Sequence, residues 1–271
     1  MFSLFNKANN PLHQAVINDD QNSVRDLMQK SDLLLERNAL GFSALELAKF
    51  LHREKILKLL DPHHHPKIQI QFPDESEIKV ISAEEFYSDF EIRYVQYPHF
   101  SSYGELKSTI KNLPLSLKYR FLASSQYQLA RLYQSELESG YIADLTVRWI
   151  DNTLGYGVFT SEALNEGAFI GEYTGRVRRI CRFNPDPNAY CFQYPTKLWS
   201  MNYTVVDALH EGNILRFVNH SDLPNLSPTC VVDRGLVRIV FVANRDIKEG
   251  EQLTFNYGED YWKNRTKKQL S

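Results

Sequence analysis

From residue 140 onward the apolar residues of this chain fall in short runs: 145–150, 156–159, 169–173, 190–194, 203–206, 236–242 and 252–256. Gly, Asn, Asp and Pro interrupt them. Runs of this length, separated by turn formers, predict many short strands in compact, mostly-β sheets and leave little room for long helices. No apolar run is long enough to span a bilayer as a helix.

The first half has a different period. Pro11-Leu12-His13-Gln14-Ala15 aligns with Ala44-Leu45-Glu46-Leu47-Ala48, and Leu12–Leu45 and Leu27–Leu60 each span 33 residues. Asn38, Gly41 and Ser43 supply a turn before the second helical pattern. The period and the P-L-H-x-A start resemble the ankyrin repeat, an unrelated helical hairpin being the alternative. Each unit of such a repeat buries its apolar face only against a neighbour, so two units are expected to lean on the segment C-terminal to them. Asp61-Pro62-His63-His64-His65-Pro66 breaks the helical pattern. Adjacent histidines on an extended chain point opposite ways and no further ligand is suitably spaced, so the run reads as a linker. Alternation at Ile68, Ile70, Phe72 and at Ile78, Val80 predicts a hairpin turning at 73–76. Leu115, Leu117, Phe121, Leu122, Leu129, Leu132 and Leu137 predict one or two helices within 104–139. The expected organisation is a repeat region at 1–62, an α/β connector at 63–140, a mostly-β domain at 141–258 and a short tail at 259–271, an α+β chain as a whole.

Composition narrows the function. The 271 residues carry 31 Lys+Arg against 33 Asp+Glu, so no global basic field favours direct, sequence-specific nucleic-acid binding. Cys181, Cys191 and Cys230 form no C-x-x-C pair, which fits reduced thiols in a cytosol-like compartment. The start, Met1-Phe-Ser-Leu-Phe-Asn-Lys, lacks the apolar core of a signal peptide; a receptor-read export signal stays open.

Two polar-in-apolar strings carry the chemistry. The first is Asn213-Ile-Leu-Arg216-Phe217-Val-Asn219-His220-Ser221-Asp222-Leu223-Pro224-Asn225; the second is Leu253-Thr-Phe255-Asn256-Tyr257-Gly258. They resemble the R-F-x-N-H-S-x-x-P-N and F-x-Y-G signatures of SET-domain protein lysine methyltransferases. The resemblance implies a fold of small sheets around a pseudoknot-like C-terminal segment, with S-adenosyl-L-methionine as methyl donor. It implies Tyr257 as the catalytic tyrosine, with Tyr173 of Glu172-Tyr173-Thr174-Gly175 lining the lysine channel. Phe255, two residues before Tyr257 and on the same strand face, stands where the family gates product size. Phenylalanine there implies di- or trimethylation. For the cofactor it implies Gly155, Tyr156 and Gly157 in a G-x-G loop, Arg216, Asn219 and His220 in the central string, Tyr257, and also Tyr190 and Tyr261. Asp207, Ala208, Gly212 and Asn213 complete the approach to that string. The run at 190–194, with Phe192, stands where a substrate peptide adds as an extra strand. Arg176, Arg178, Arg179 and Arg182 just before it read either as a solvated charged loop or as a contact for nucleosomal DNA or an acidic surface.

The chain also departs from many members of the family. Asp222 stands where they carry a zinc-binding cysteine, and no cysteine follows Cys230. No structural metal is expected, and the tail, the connector or a second subunit must complete the channel wall. A short SET protein without zinc clusters, beside ankyrin-like repeats, resembles those of intracellular bacteria. That implies a chain cytoplasmic as synthesised, with secretion into a host and a nuclear location there as the further reading. A histone or histone-like substrate is expected, with the repeats as a site for a protein partner. The competing readings are a non-histone substrate, or a module without turnover that works through its repeats.

Overall fold

The computed structural model describes residues 8–63, 66–118, 123–195, 197 and 200–262. His64, His65, Phe121, Leu122 and the basic stretch after Trp262 lie outside the described residues. The N-terminal region is helical: α1 (Pro11–Ile17), α2 (Gln21–Leu27), α3 (Ser31–Leu35), α4 (Ala44–Phe50) and α5 (Glu54–Leu60). The 33-residue offset recurs in its geometry, α1 matching α4 and α2 matching α5 end for end. Asn10 and Ser43 cap equivalent helices through capping boxes, and Asp19 and His52 make the equivalent left-handed turns. Leu12, Val16, Val24, Phe42, Leu47, Phe50 and Ile56 are buried, and Nε2 of His13 donates to the Phe42 carbonyl across the two units at 3.0 Å.

The segment at 63–140 is woven into the sheets of the C-terminal half. Strand β1 (Ile68–Gln71) pairs antiparallel with β2 (Lys79–Ile81), as the alternation predicts, and parallel with β4 (Leu145–Asp151). Helix α6 (Ala83–Phe90) leads into β3 (Arg93–Tyr94). The one or two helices expected within 104–139 are four short ones: α7 (Tyr103–Lys111), α8 (Leu115–Lys118), α9 (Ser124–Leu132) and α10 (Gln134–Ser139). Pro114 precedes α8, and Gly140 closes α10 in the left-handed region that glycine adopts without strain. Leu115 and Leu132, two of the leucines that carry the helical pattern, are exposed.

The remaining elements are β5 (Gly155–Thr160), β6 (Phe169–Glu172), β7 (Gly175–Cys181), β8 (Cys191–Gln193), β9 (Asn202–Gly212), a 3-10 turn (Ile214–Phe217), β10 (Asn219–His220), β11 (Leu226–Asp233), β12 (Leu236–Ala243), β13 (Gln252–Phe255) and α11 (Glu259–Trp262). Three sheets result, in the orders β10-β13-β5-β4-β1-β2, β11-β12-β6 and β3-β9-β7, with β8 also pairing with β9. The architecture is mixed α/β with a C-terminal half mostly of strands.

Strands β7 and β11 are among those that escape the apolar pattern. The arginine-rich segment read as a loop is β7, because its cations meet carboxylates nearby. Arg178 bonds Asp207 at 2.7 Å and Asp186 at 3.1 Å, while Arg176 lies 4.0 Å from Glu211. Strand β11 carries Ser227, Pro228 and Thr229, and it lies at a sheet edge, where a proline costs no ladder bond.

Candidate active site

Tyr257 follows the end of β13, and two structural ties place it. Its backbone N–H donates to Nδ1 of His220 at 3.2 Å, and its hydroxyl donates to the Val218 carbonyl at 2.9 Å. His220 sits on β10, which runs parallel to β13 with Asn219 opposite Thr254 and His220 opposite Phe255. Asn225, 1% exposed, clamps the same strand: its Oδ1 accepts from Thr254 N, and its Nδ2 donates to the Gln252 carbonyl, each at 2.8 Å. The two motif strings are thereby one unit of backbone.

Tyr173 follows β6 and is buried, its hydroxyl donating to the Tyr190 carbonyl at 2.9 Å. Burial raises the pKa of both phenols above the ordinary value, so both hydroxyls stay protonated donors at neutral pH. Phe192 packs on Tyr173 at 4.6 Å and on Phe255 at 5.3 Å, and Phe255 packs on Tyr257 at 4.6 Å. Phe241 of β12 closes the group at 5.0 Å from Phe255. The predicted catalytic and substrate residues Tyr257, Tyr173, Phe255 and Phe192 therefore form one aromatic wall. Tyr261 and Trp262 of α11 extend it, at 4.6 and 5.9 Å from Tyr257. Trp262 also meets His220 edge-on at 4.9 Å.

The residues assigned to a cofactor gather around β5, β10 and the 3-10 turn. Arg216 is buried with its guanidinium 4.0 Å from the Tyr190 ring, and its Nε donates to the Ala208 carbonyl at 2.8 Å. Burial lowers its pKa while the aromatic neighbours support the cation. Asn219 Nδ2 donates to the Tyr156 carbonyl at 3.0 Å. The Tyr156 ring itself packs among Trp149, Phe90 and Phe217, at 5.1 to 5.9 Å. Gly155 takes φ +74°, and Gly157 lies against Gln252 and Asn219. A Cβ on Gly157 would stand 2.6 Å from Gln252 Nε2 and 2.7 Å from Ile150 Cδ1. Gln252 Nε2 and Trp262 Nε1 are buried N–H donors with no hydrogen-bond partner among the described residues. The orphaned Gln252 donor, beside a glycine whose missing side chain leaves it room, fits a polar ligand rich in acceptors, as S-adenosyl-L-methionine is.

The structural role of Arg238 was not visible in the sequence, whereas Asp207 was named there as part of the approach to the central string. Arg238, 1% exposed, makes two side-chain bonds to the buried Glu172 carboxylate, one of them from Nε at 2.8 Å, and donates to the Leu137 carbonyl. Burial raises the Glu172 pKa while Arg238 opposes it. Asp207 accepts from Asn188, Leu209 N and Arg178; burial pushes its pKa up, and those donors together bring it below the ordinary value. Neither Phe241 nor Arg238 carries any mark in the run 236–242 beyond its strand pattern. A separate cavity of about 890 Å³, lined by Lys49, His52, Tyr87, Tyr94, Tyr97 and His210 among others, lies away from this wall. Among the described residues no cluster of three His, Cys, Asp or Glu is placed to hold a metal ion.

Residues 155–258 match the family model of the SET domain. The chain carries that domain, with histone-lysine methyltransferase relatives. It is 37% identical over 129 residues to histone-lysine N-methyltransferase SUV39H1-A of Danio rerio, covering 45% of this chain and 31% of the relative. It is 38% identical over 125 residues to histone-lysine N-methyltransferase EZH2 of Chaetomium thermophilum, covering 42% of this chain and 8% of the relative. It is 28% identical over 167 residues to N-lysine methyltransferase KMT5A-A of Danio rerio, covering 59% and 46%. The chain thus spans less than half the length of each of these relatives. Among solved structures, a complex of KRYPTONITE with mCHH DNA, an H3(1-15) peptide and SAH shares 33% identity at a TM-score of 0.35, over 42% of this chain and 23% of that one.

Proposed function

We propose that this chain transfers a methyl group from S-adenosyl-L-methionine to a lysine of a protein, a histone or histone-like one first. The observation that carries the reading is the joining of the two motif strings around Tyr257, with Tyr173, Phe192 and Phe255 as an aromatic wall beside it. The match of residues 155–258 to the SET domain supports it. Gly155, Gly157, Tyr190, Arg216, Asn219 and His220 would hold the cofactor, which when bound supplies an electrophilic methyl group.

The rest is the work of this chain. A free lysine amine has a pKa of about 10.4, and its cationic form cannot attack. Burial in an aromatic channel disfavours the ammonium and lowers that pKa, so the neutral amine forms after its proton leaves to water. Neither tyrosine can take that proton, because Tyr173 and Tyr257 are already protonated and give their hydrogens to the carbonyls of Tyr190 and Val218. Their oxygens keep lone pairs that orient the amine, and alignment contributes the largest share of the rate. Phe255 leaves no hydroxyl beside the amine, which favours di- or trimethylation.

The division at 1–62, 63–140, 141–258 and 259–271 goes with this reading, as does the ankyrin-like character of the first segment, which its 33-residue geometry supports. So do a zinc-free domain, a pseudoknot-like passage of 213–225 past β13, and a protein that is cytoplasmic as synthesised. Export into a host cell rests on the bacterial resemblance alone; finding the chain only in the cell that makes it would remove that idea. Elemental analysis of the purified protein tests the metal, a stoichiometric zinc being contrary. The deciding experiment is label transfer from methyl-labelled cofactor to core histones, with Tyr257→Phe beside the wild type. Loss of the orienting group should cost on the order of 10²–10³ in rate. Equal rates from the two proteins would remove Tyr257 from the chemistry, and no transfer to histones or to a cell extract would remove the activity.

A further inference from the structure

Asn188 lies between β7 and β8, outside both motif strings, and its side chain bonds in two directions. Its Oδ1 accepts from the backbone N–H of Tyr190 at 2.8 Å, and its Nδ2 donates to both oxygens of Asp207, each at 2.8 Å. Asp207, 8% exposed on β9, is itself held by Arg178 Nε at 2.7 Å and by the Leu209 N–H at 3.0 Å. The next residue of β9 meets the other end of Tyr190: Ala208 N donates to the Tyr190 carbonyl at 3.1 Å. That carbonyl also accepts the Tyr173 hydroxyl at 2.9 Å, and the Tyr190 ring lies 4.0 Å from the Arg216 guanidinium. An Asx turn closing a loop needs only the bond to Oδ1. The bonds from Nδ2 reach across 19 residues and fasten the segment before β8 to β9.

We propose that Asn188 is a positioning residue for the transfer step: through Tyr190 it fixes the direction in which the Tyr173 hydroxyl presents its lone pairs to the substrate amine. The role rests on the methyl transfer proposed above. A phenol has one proton to donate, and the hydroxyl turns to suit its acceptor. Tyr173 is 3% exposed, so the Tyr190 carbonyl rather than water sets that turn. With the carbonyl pinned, the proton is directed at it and the lone pairs are fixed as well. A carbonyl free to swing would take the hydroxyl with it, and small misplacements at a reacting centre are costly in rate. Asparagine suits this place because one amide accepts from Tyr190 and donates to Asp207 at once. An ionised aspartate can only accept, and alanine does neither.

Steady-state methyl transfer to a lysine-containing histone peptide by the full chain, with folding checked by circular dichroism, tests it. Asn188→Ala should lose on the order of 10–100-fold in kcat while the peptide KM changes little, because the fault lies in alignment rather than docking. Asn188→Asp keeps the acceptor for Tyr190 N but sets a second carboxylate against Asp207, so it should be impaired as well. Adding Asp207→Asn to it transposes the pair, restores a donor between the two side chains, and should recover most of the kcat. A raised KM with kcat intact would make Asn188 a support for β8 alone and overturn the proposal. So would a transposed pair no faster than Asn188→Asp, a comparison that holds even where Asn188→Ala fails to fold. Variants as active as an active wild type overturn the role of Asn188 and leave the methyl transfer standing. A wild type that methylates neither the peptide nor any protein of a cell extract removes both.

Discussion

The backbone N–H of Tyr257 donates to the ring of His220, 37 residues earlier, at 3.2 Å. The bond requires Nδ1 of His220 to be an acceptor, so the imidazole must be neutral at that nitrogen for the strand to dock. On its other side Nε2 lies 3.3 Å from Asp222. Trp262 covers the same ring. A carboxylate and an aromatic helix thus flank the His220 ring, and α11 supplies a wall of the aromatic site.

Gly157→Ala is expected to damage both the fold and the cofactor site. The added methyl would meet Gln252 Nε2 and Ile150 Cδ1 well inside contact distance. Both atoms are ends of side chains that can turn aside, so the cost to the fold sits at the low end for overpacking, about 1 kcal/mol. The midpoint of urea unfolding should fall accordingly, and the Kd for S-adenosyl-L-methionine should rise more than the Kd for a peptide. Gly155→Ala offers a contrast, because a Cβ there meets nothing within 4 Å although φ is +74°. Equal cofactor affinity in wild type and Gly157→Ala would count against the loop as a cofactor cradle.

Much of the site was readable because it is local. Asn219, His220, Phe255 and Tyr257 sit in two strings whose order and spacing carry the resemblance, and β10 and β13 bring them together. The 33-residue period was readable for the same reason, since α1 and α4 repeat their capping boxes. What escaped was long-range or depended on pairing. Strand β7 looked like a charged loop until Asp207, Asp186 and Glu211 appeared beside its arginines. Glu172 and Arg238 lie 66 residues apart and pair only after β6 and β12 align. Apolar periodicity is silent about a buried ion pair, so only the assembled sheet reveals it.

Arg238→Met should be among the most destabilising single changes in the chain. It leaves the Glu172 carboxylate buried without its partner, a loss of about 3–5 kcal/mol when one member of a buried pair is removed. Replacing both residues, as Glu172→Leu with Arg238→Met, removes the stranded charge. The double variant should therefore unfold at a higher denaturant concentration than Arg238→Met alone. A cycle with additive losses would mean that the two residues do not couple.

Phe255→Tyr is expected to shift products toward monomethyl-lysine. Phe255 is 8% exposed and enclosed by Phe192, Phe241 and Tyr257. A hydroxyl introduced there needs a hydrogen-bond partner and retains water near the amine, which takes space from an added methyl group. Product masses over a time course decide this: wild type should proceed past one methyl group and the variant should stall. A wild type that stops at monomethyl-lysine would contradict the assignment of Phe255 as the gate.

Stability at acid pH should depend on Glu251. Its bond from Arg245 at 2.5 Å, together with those from Lys248 N and Asn225, brings its pKa from 4.5 down to about 2, against the opposing effect of burial. A carboxyl with a depressed folded pKa adds stability that is complete above the unfolded value and is lost as pH falls through the folded one. The window therefore runs from about pH 4.5 down to about pH 2. Glu251→Gln has no such proton to bind, so its stability should fall less steeply over that window than wild type's, although other paired carboxylates such as Asp207 and Glu211 keep a slope of the same sign. Because Arg245 is about half exposed, added salt should weaken the effect. Denaturant midpoints measured across the window test the difference, and parallel curves for the two proteins would show that the Arg245–Glu251 pair contributes nothing to the fold.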